Sequence, residues 1–193
     1  MNLLITGFEP FGGENINPAW EAVAMLPDHI GPWSLTKLKV STVFGLAARQ
    51  VIHAAEKAKP DVILCIGQAG GRDAVTPEMA ALNLRFASIA DNEGNHPQDE
   101  PVVPGGPAAY FSTVPVRKIA QAIHAASLPG KVSYSAGTFV CNDLFYSLLH
   151  HYSGTPVRVG FIHVPYLPSQ GQPSLSLEET VHALTLAISA LQE

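Results

Sequence analysis

The run Val62-Ile63-Leu64-Cys65-Ile66 constrains the fold more than any other stretch, because its apolar residues follow one another with no polar residue between them. A strand turns successive side chains to opposite faces, so a run of this kind is buried on both. It needs a layer of helices on each side, which is the setting of a central strand in a parallel sheet. The surrounding chain supplies those layers. Strands are expected over residues 3–6, 35–40, 61–66, 79–87, 132–135 and 157–164, and helices over 20–26, 45–59, 116–126, 144–151 and 177–191. A polar loop covers 91–107. No linker, repeat or low-complexity tract interrupts the series, so residues 1–193 are expected to form a single domain. The predicted fold class is α/β, an αβα sandwich with a mixed, mainly parallel sheet.

Sheets of this class bind ligands outside the carboxyl ends of their strands, which makes the loops after strands the place to look for chemistry. Phe8-Glu9-Pro10-Phe11-Gly12-Gly13 follows the first strand and Gly67-Gln68-Ala69-Gly70-Gly71-Arg72 the central one. Thr76-Pro77-Glu78 comes shortly after, and His163-Val164-Pro165-Tyr166 closes the last strand. Cys141 lies between the extended segment 132–135 and apolar residues at helical spacing, Leu144, Phe145, Leu148 and Leu149. At or near a helix N-terminus, free N–H groups and the dipole favour a thiolate. Such a site, with an imidazolium nearby, brings a thiol from ~8.5 to roughly 3.5–7.5. The position suits a nucleophile, and it equally suits a small buried hydrophobe. His163 is the candidate base, although the chain has 8 histidines and one at a strand end also serves structurally. Glu78 can orient that imidazole, or it is a surface carboxylate after a proline turn. The order acid, cysteine, histidine is permitted, because such triads are defined by geometry.

Several function classes are set aside. The formal charge of −5 and the lack of a lysine or arginine cluster argue against nucleic acid or an anionic membrane as partner. Two cysteines without a disulfide framework fit a reducing compartment, and Cys65, in mid-strand, reads as core. The segment 1–7 lacks the basic region and long apolar stretch of a signal peptide, and nothing approaches the ~20 apolar residues of a bilayer span. A cytoplasmic location is expected. The glycine loop 67–71 lacks the Gly-x-Gly-x-x-Gly spacing and the lysine of a P-loop. No Cys/His grouping has metal-ligand spacing, so neither metal nor cofactor is expected. A hydrophobic fraction of 47% leaves room for an oligomer.

Taken in order, Phe8-Glu9-Pro10-Phe11-Gly12-Gly13, Asn17-Pro18-Ala19-Trp20-Glu21, residues 67–72, Pro77-Glu78, Asp91-Asn92-Glu93-Gly94-Asn95, Gly105-Gly106-Pro107-Ala108-Ala109-Tyr110, residues 136–142 and residues 161–168 closely resemble the type I pyroglutamyl peptidases. These bacterial cysteine peptidases, also called pyrrolidone-carboxylate peptidases, remove an N-terminal pyroglutamate from peptides, and the likeness covers almost the whole chain. The resemblance implies Cys141 as nucleophile, His163 as general base and acid, and Glu78 as orienting carboxylate. It implies a pyroglutamate pocket formed by Phe8, Phe11, Gln68, Ile89, Phe139 and Val140, peptide substrates bearing N-terminal pyroglutamate, and a homotetramer. One departure stands out. The family leads one to expect an arginine shortly before Asp91, where this chain has Ala87-Ser88-Ile89-Ala90, with Ser88 in its place and Ala90 where proline is usual. A non-catalytic binding domain or a phosphorylase on a similar sheet is the rival reading; either should tolerate Cys141→Ser.

Overall fold

The structure, a computed structural model, describes residues 1–192. Its elements are β1 (Asn2–Phe8), α1 (Pro18–Met25), β2 (His29–Ile30), β3 (Trp33–Val40), α2 (Leu46–Ala58), β4 (Val62–Gln68), β5 (Thr76–Pro77), β6 (Ala80–Leu82), β7 (Ala109–Phe111), α3 (Val116–Ala125), α4 (Val140–His151), β8 (Arg158–Val164) and α5 (Leu177–Ser189). The main sheet runs β2-β3-β1-β4-β8-β5. Its four inner strands are parallel, and the short edge strands β2 and β5 are antiparallel to their neighbours. The apolar run is central, as expected, and its alternation divides the core in two. Val62, Leu64 and Ile66 pack in one cluster with Ala22 and Val23 of α1 and Leu184 of α5, whereas Ile63 and Cys65 join Val51 of α2 and Leu144 and Leu148 of α4 on the opposite face.

Local chemistry sets the helix ends. Asn17 caps α1 by accepting from the Ala19 N–H, with Pro18 following it at the first helical position. Ser176 and Glu179 form a capping box at the start of α5. The expected strand over 132–135 is not a ladder. Residues 129–133 run beside 75–79 through Val75 N–H to Pro129 O, Lys131 N–H to Val75 O, Ser133 N–H to Pro77 O and Met79 N–H to Ser133 O. The pairing is reduced to isolated bridges because a parallel ladder needs an N–H from residue 77, and proline has none. Of the strand expected over 79–87 only β6 forms. It pairs with β7 in a separate two-stranded ribbon, while the residues after it are held by side chains of α4.

Candidate active site

Helix α4 places the cysteine. Phe139 has extended backbone geometry and accepts the first helical bond from Asp143 N–H, so Cys141 lies in the first turn. The two residues after it lock that turn in place. Asn142 accepts from Leu82 N–H and donates to the carbonyls of Leu82 and Leu84; Asp143 accepts from Gly45 N–H at 2.7 Å and from Arg85 Nε at 2.6 Å. Both side chains are fully buried. In the sequence their signal is two adjacent polar residues, Asn142 and Asp143, inside an otherwise apolar helical face.

Strands β4 and β8 place the partner. Gly67 and His163 are directly opposite in register. A Cβ built on Gly67 would lie 2.9 Å from Cys141 Sγ and 2.8 Å from the Phe161 ring. The sulfur therefore occupies the space of a missing side chain next to His163, on the same sheet face. Phe161, two residues before the histidine, stacks at a tilt against its ring with centroids 4.8 Å apart. His163 Nδ1 lies 2.7 Å from Glu78 Oε1, and Arg72 Nη1 donates to that same oxygen at 2.6 Å and to Thr76 Oγ1 at 2.6 Å. Glu78 is fully buried, and its Oε2 has no hydrogen-bond partner.

Burial acts to raise the Glu78 carboxyl, but the His163 hydrogen bond and charge, with help from Ser133 and Arg72, outweigh it and hold the group below its usual range. Desolvation lowers His163 despite Glu78, which leaves the imidazole neutral near pH 7. An ionised carboxylate only accepts, so Nδ1 carries the proton and Nε2 keeps a free lone pair. The Cys141 thiol departs from the sequence expectation. Desolvation, then the Glu78 charge, pushes it up to about 12, and Arg72 and its own backbone N–H offset this only in part. A position in the first helical turn does not outweigh these contributions, which favour a thiol beside a neutral imidazole. Cys65 is likewise pushed up to about 12 by burial and lies in the core.

These groups open into a cavity of about 400 Å3 lined by Phe8, Phe11, Gln68, Ile89, Phe139, Cys141 and His163, together with Phe86 and Ser88. Phe11 and Phe139 meet with ring centroids 5.9 Å apart, and Phe44 braces Phe139 edge-on at 5.3 Å. Val140 does not join them. Its side chain is fully buried in the α2–α4 core cluster, because the turn that directs Cys141 to the cavity points its neighbour away. Glu9 accepts from Thr42 N–H and Asn92 Nδ2, and Asp91 accepts from the N–H groups of Phe44, Glu93 and Asn95. The polar turn at 91–95 thus ties together the loops after β1 and β3 and fixes the wall carrying Phe11.

A family model described as pyroglutamyl peptidase matches residues 1–193. A pyrrolidone-carboxylate peptidase of Levilactobacillus brevis is 50% identical over 198 aligned positions, which span 99% of this chain and 97% of the relative. This chain belongs to the pyroglutamyl peptidase family. A crystal structure of Bacillus amyloliquefaciens pyroglutamyl peptidase I superposes with a TM-score of 0.95 at 47% identity, covering 98% of this chain and 96% of that one. A mutant pyrrolidone carboxyl peptidase of Pyrococcus furiosus gives 0.93 at 41%, covering 99% and 98%. As a pyroglutamyl peptidase the chain is a cysteine hydrolase that removes N-terminal pyroglutamate. Where an arginine was expected, Ser88 stands exposed on the cavity rim, and the nearby Arg85 is turned away to Asp143. Among the described residues no group of three or more His, Cys, Asp or Glu is placed to hold a metal ion, and no helix is long and apolar enough to cross a membrane.

Proposed function

We propose that Cys141, His163 and Glu78 act as nucleophile, general base and acid, and orienting carboxylate, and that the pyroglutamyl group passes through a thioester on Cys141. The observation that carries this reading is the placement of Sγ in the space beside His163, whose other ring nitrogen is bonded to a buried carboxylate. Nε2 takes the thiol proton as sulfur attacks the pyroglutamyl carbonyl carbon. The tetrahedral oxyanion is met by the Cys141 backbone N–H, one of the unpaired donors at the start of α4. The imidazolium then gives its proton to the departing amine, leaving thioester and free peptide. Water, deprotonated by the same Nε2, attacks the thioester, and collapse returns the proton to sulfur and releases pyroglutamate. Glu78 holds the productive tautomer and stabilises the transient imidazolium.

Phe8, Phe11, Phe139 and Ile89 serve as walls for the flat lactam, and Gln68 reads its amide edge. Residues 1–193 act as one domain, in the cytoplasm, as a homotetramer; light scattering on the purified protein measures the assembly. The deciding experiment is release of the reporter amine from an L-pyroglutamyl arylamide under reducing conditions, with a prolyl arylamide as control. Turnover of the pyroglutamyl compound alone, abolished in Cys141→Ser, is expected. Turnover by the serine variant overturns Cys141 as the nucleophile, and none by folded, reduced protein favours the binding-domain reading.

A further inference from the structure

The glycine loop between β4 and β5 has no part in the chemistry as described so far, yet its geometry is specific. A Cβ on Gly70 would lie 2.2 Å from the Tyr166 ring, and Gly71 has a left-handed φ of +82°. Arg72 N–H closes the turn on Ala69 O. The chain is thereby folded back so that the arginine reaches under the sheet edge to Thr76 and Glu78. We propose that Arg72 is a positioning residue of the active site, which keeps the buried Glu78 ionised and fixes the oxygen that accepts from His163. This rests on the triad reading above.

The physical need is direct. A carboxylate removed from water is neutralised unless a charge or several donors compensate it. The imidazole beside Glu78 is neutral at rest, and Ser133, which also helps hold the carboxylate ionised, brings no charge. Arg72 is the permanent cation that forms an ion pair with Glu78 among the described residues. Other titratable groups facing the pair are Cys141 from α4 and, behind it, Cys65; Asp73, next to Arg72, is turned outward to Lys131. About a third of the Arg72 side chain is exposed, so its removal does not open a core cavity.

Removing a positive charge makes proton uptake by the Glu78–His163 pair easier whichever member receives the proton, and either outcome disables the base. Arg72→Met is therefore expected to move the acid limb of kcat/KM up by about half to one pH unit. It should lower kcat about 10- to 100-fold while KM changes less than about threefold. Arg72→Lys, which keeps the charge, should restore the limb. A purely structural role would lower the melting temperature and leave the limb in place, and that result overturns the proposal. The His163 imidazole titration, followed by NMR in the unmodified protein and in Arg72→Met, reads the same shift without turnover. An unshifted titration refutes the Arg72 role, whereas loss of pyroglutamyl turnover in the unmodified protein refutes the triad alone.

Discussion

Replacing Gly67 with alanine tests the packing that brings sulfur and imidazole together. The residue lies in β4, where alanine meets no backbone strain, so the effect is that of one methyl group. Its Cβ would sit 2.9 Å from Cys141 Sγ and 2.8 Å from Phe161 Cζ. Ordinary contacts lie at ~3.5–4.0 Å, so about 0.6–1.1 Å must be found on the sulfur side and about 0.7–1.2 Å on the ring side. Phe161 has little room, being 1% exposed and packed against Phe8 and Phe145. Cys141, half-buried at the cavity, is the side that yields. Overpacking of this kind costs about 1–3 kcal/mol of stability, or about 2–4 °C of melting temperature per kcal/mol in a domain of this size. Displacing a reacting atom by about 1 Å costs on the order of 100-fold in rate. We expect kcat for a pyroglutamyl arylamide to fall by about that factor with KM nearly unchanged, since the aromatic walls stay in place. Gly67→Ala within threefold of the unmodified kcat, with the same melting temperature, would refute the placement of Sγ in that space.

The pH dependence follows from the same geometry. In the proposed mechanism activity needs His163 unprotonated, and burial lowers this imidazole, so the acid limb of kcat/KM should lie below the ~6.5 of an ordinary histidine. With the thiol raised to about 12, no alkaline limb is expected up to the limit of folding, and a bell closing near pH 8–9 would instead reveal a preformed thiolate–imidazolium pair. Glu78→Gln should lower kcat on the order of 10²–10⁴-fold with little change in KM, measured on the same arylamide. Asp143→Ala leaves both Arg85 and Gly45 N–H without their acceptor and should cost about 2–4 kcal/mol in urea unfolding. Phe86 and Ile89 lie on the cavity rim 41% and 47% exposed, so Phe86→Ala should raise KM several-fold for pyroglutamyl-leucine and leave pyroglutamyl-glycine unchanged.

The central layer was legible because residues 62–66 permit only one environment, and the two helical faces follow from their alternation. The edges were not. Whether 132–135 forms a strand depends on Pro77, more than fifty residues away, which lacks the N–H that a ladder requires. In the site, Cys141, His163 and Glu78 were each visible at the ends of elements, but no local pattern reveals that Gly67 leaves space for the sulfur. The balance of effects on the thiol was hidden for the same reason. Helix position can be read along the chain, whereas desolvation comes from Phe161, β4 and the cavity walls, which the fold brings from elsewhere. Arg72 was hidden by the glycine loop that positions it, and Val140, which the family resemblance implied for the pocket, is turned to the core by the helix.

A cavity with these walls also explains why a lactam is the group removed. Its lining residues include no lysine, arginine, aspartate or glutamate, and His163 is neutral at rest. A peptide with an ordinary N-terminus would carry its ammonium into this space, losing water with no carboxylate to meet it; Glu78 is sealed behind the imidazole and bonded to Arg72. Pyroglutamate has closed its amine into a neutral amide, so in the proposed binding mode it offers a flat ring to the phenylalanines and amide edges to Gln68 at no cost in charge. The same burial raises the thiol, with the Glu78 charge behind the imidazole adding to it, which makes specificity and the resting protonation state two results of one desolvated site. Introducing a carboxylate at the rim, as in Ser88→Asp, therefore has a two-sided expectation. It should weaken discrimination against prolyl arylamides, whose amine is charged, and shift the His163 acid limb upward. A variant that accepted the prolyl substrate with the limb unmoved would separate the two properties and refute their common origin.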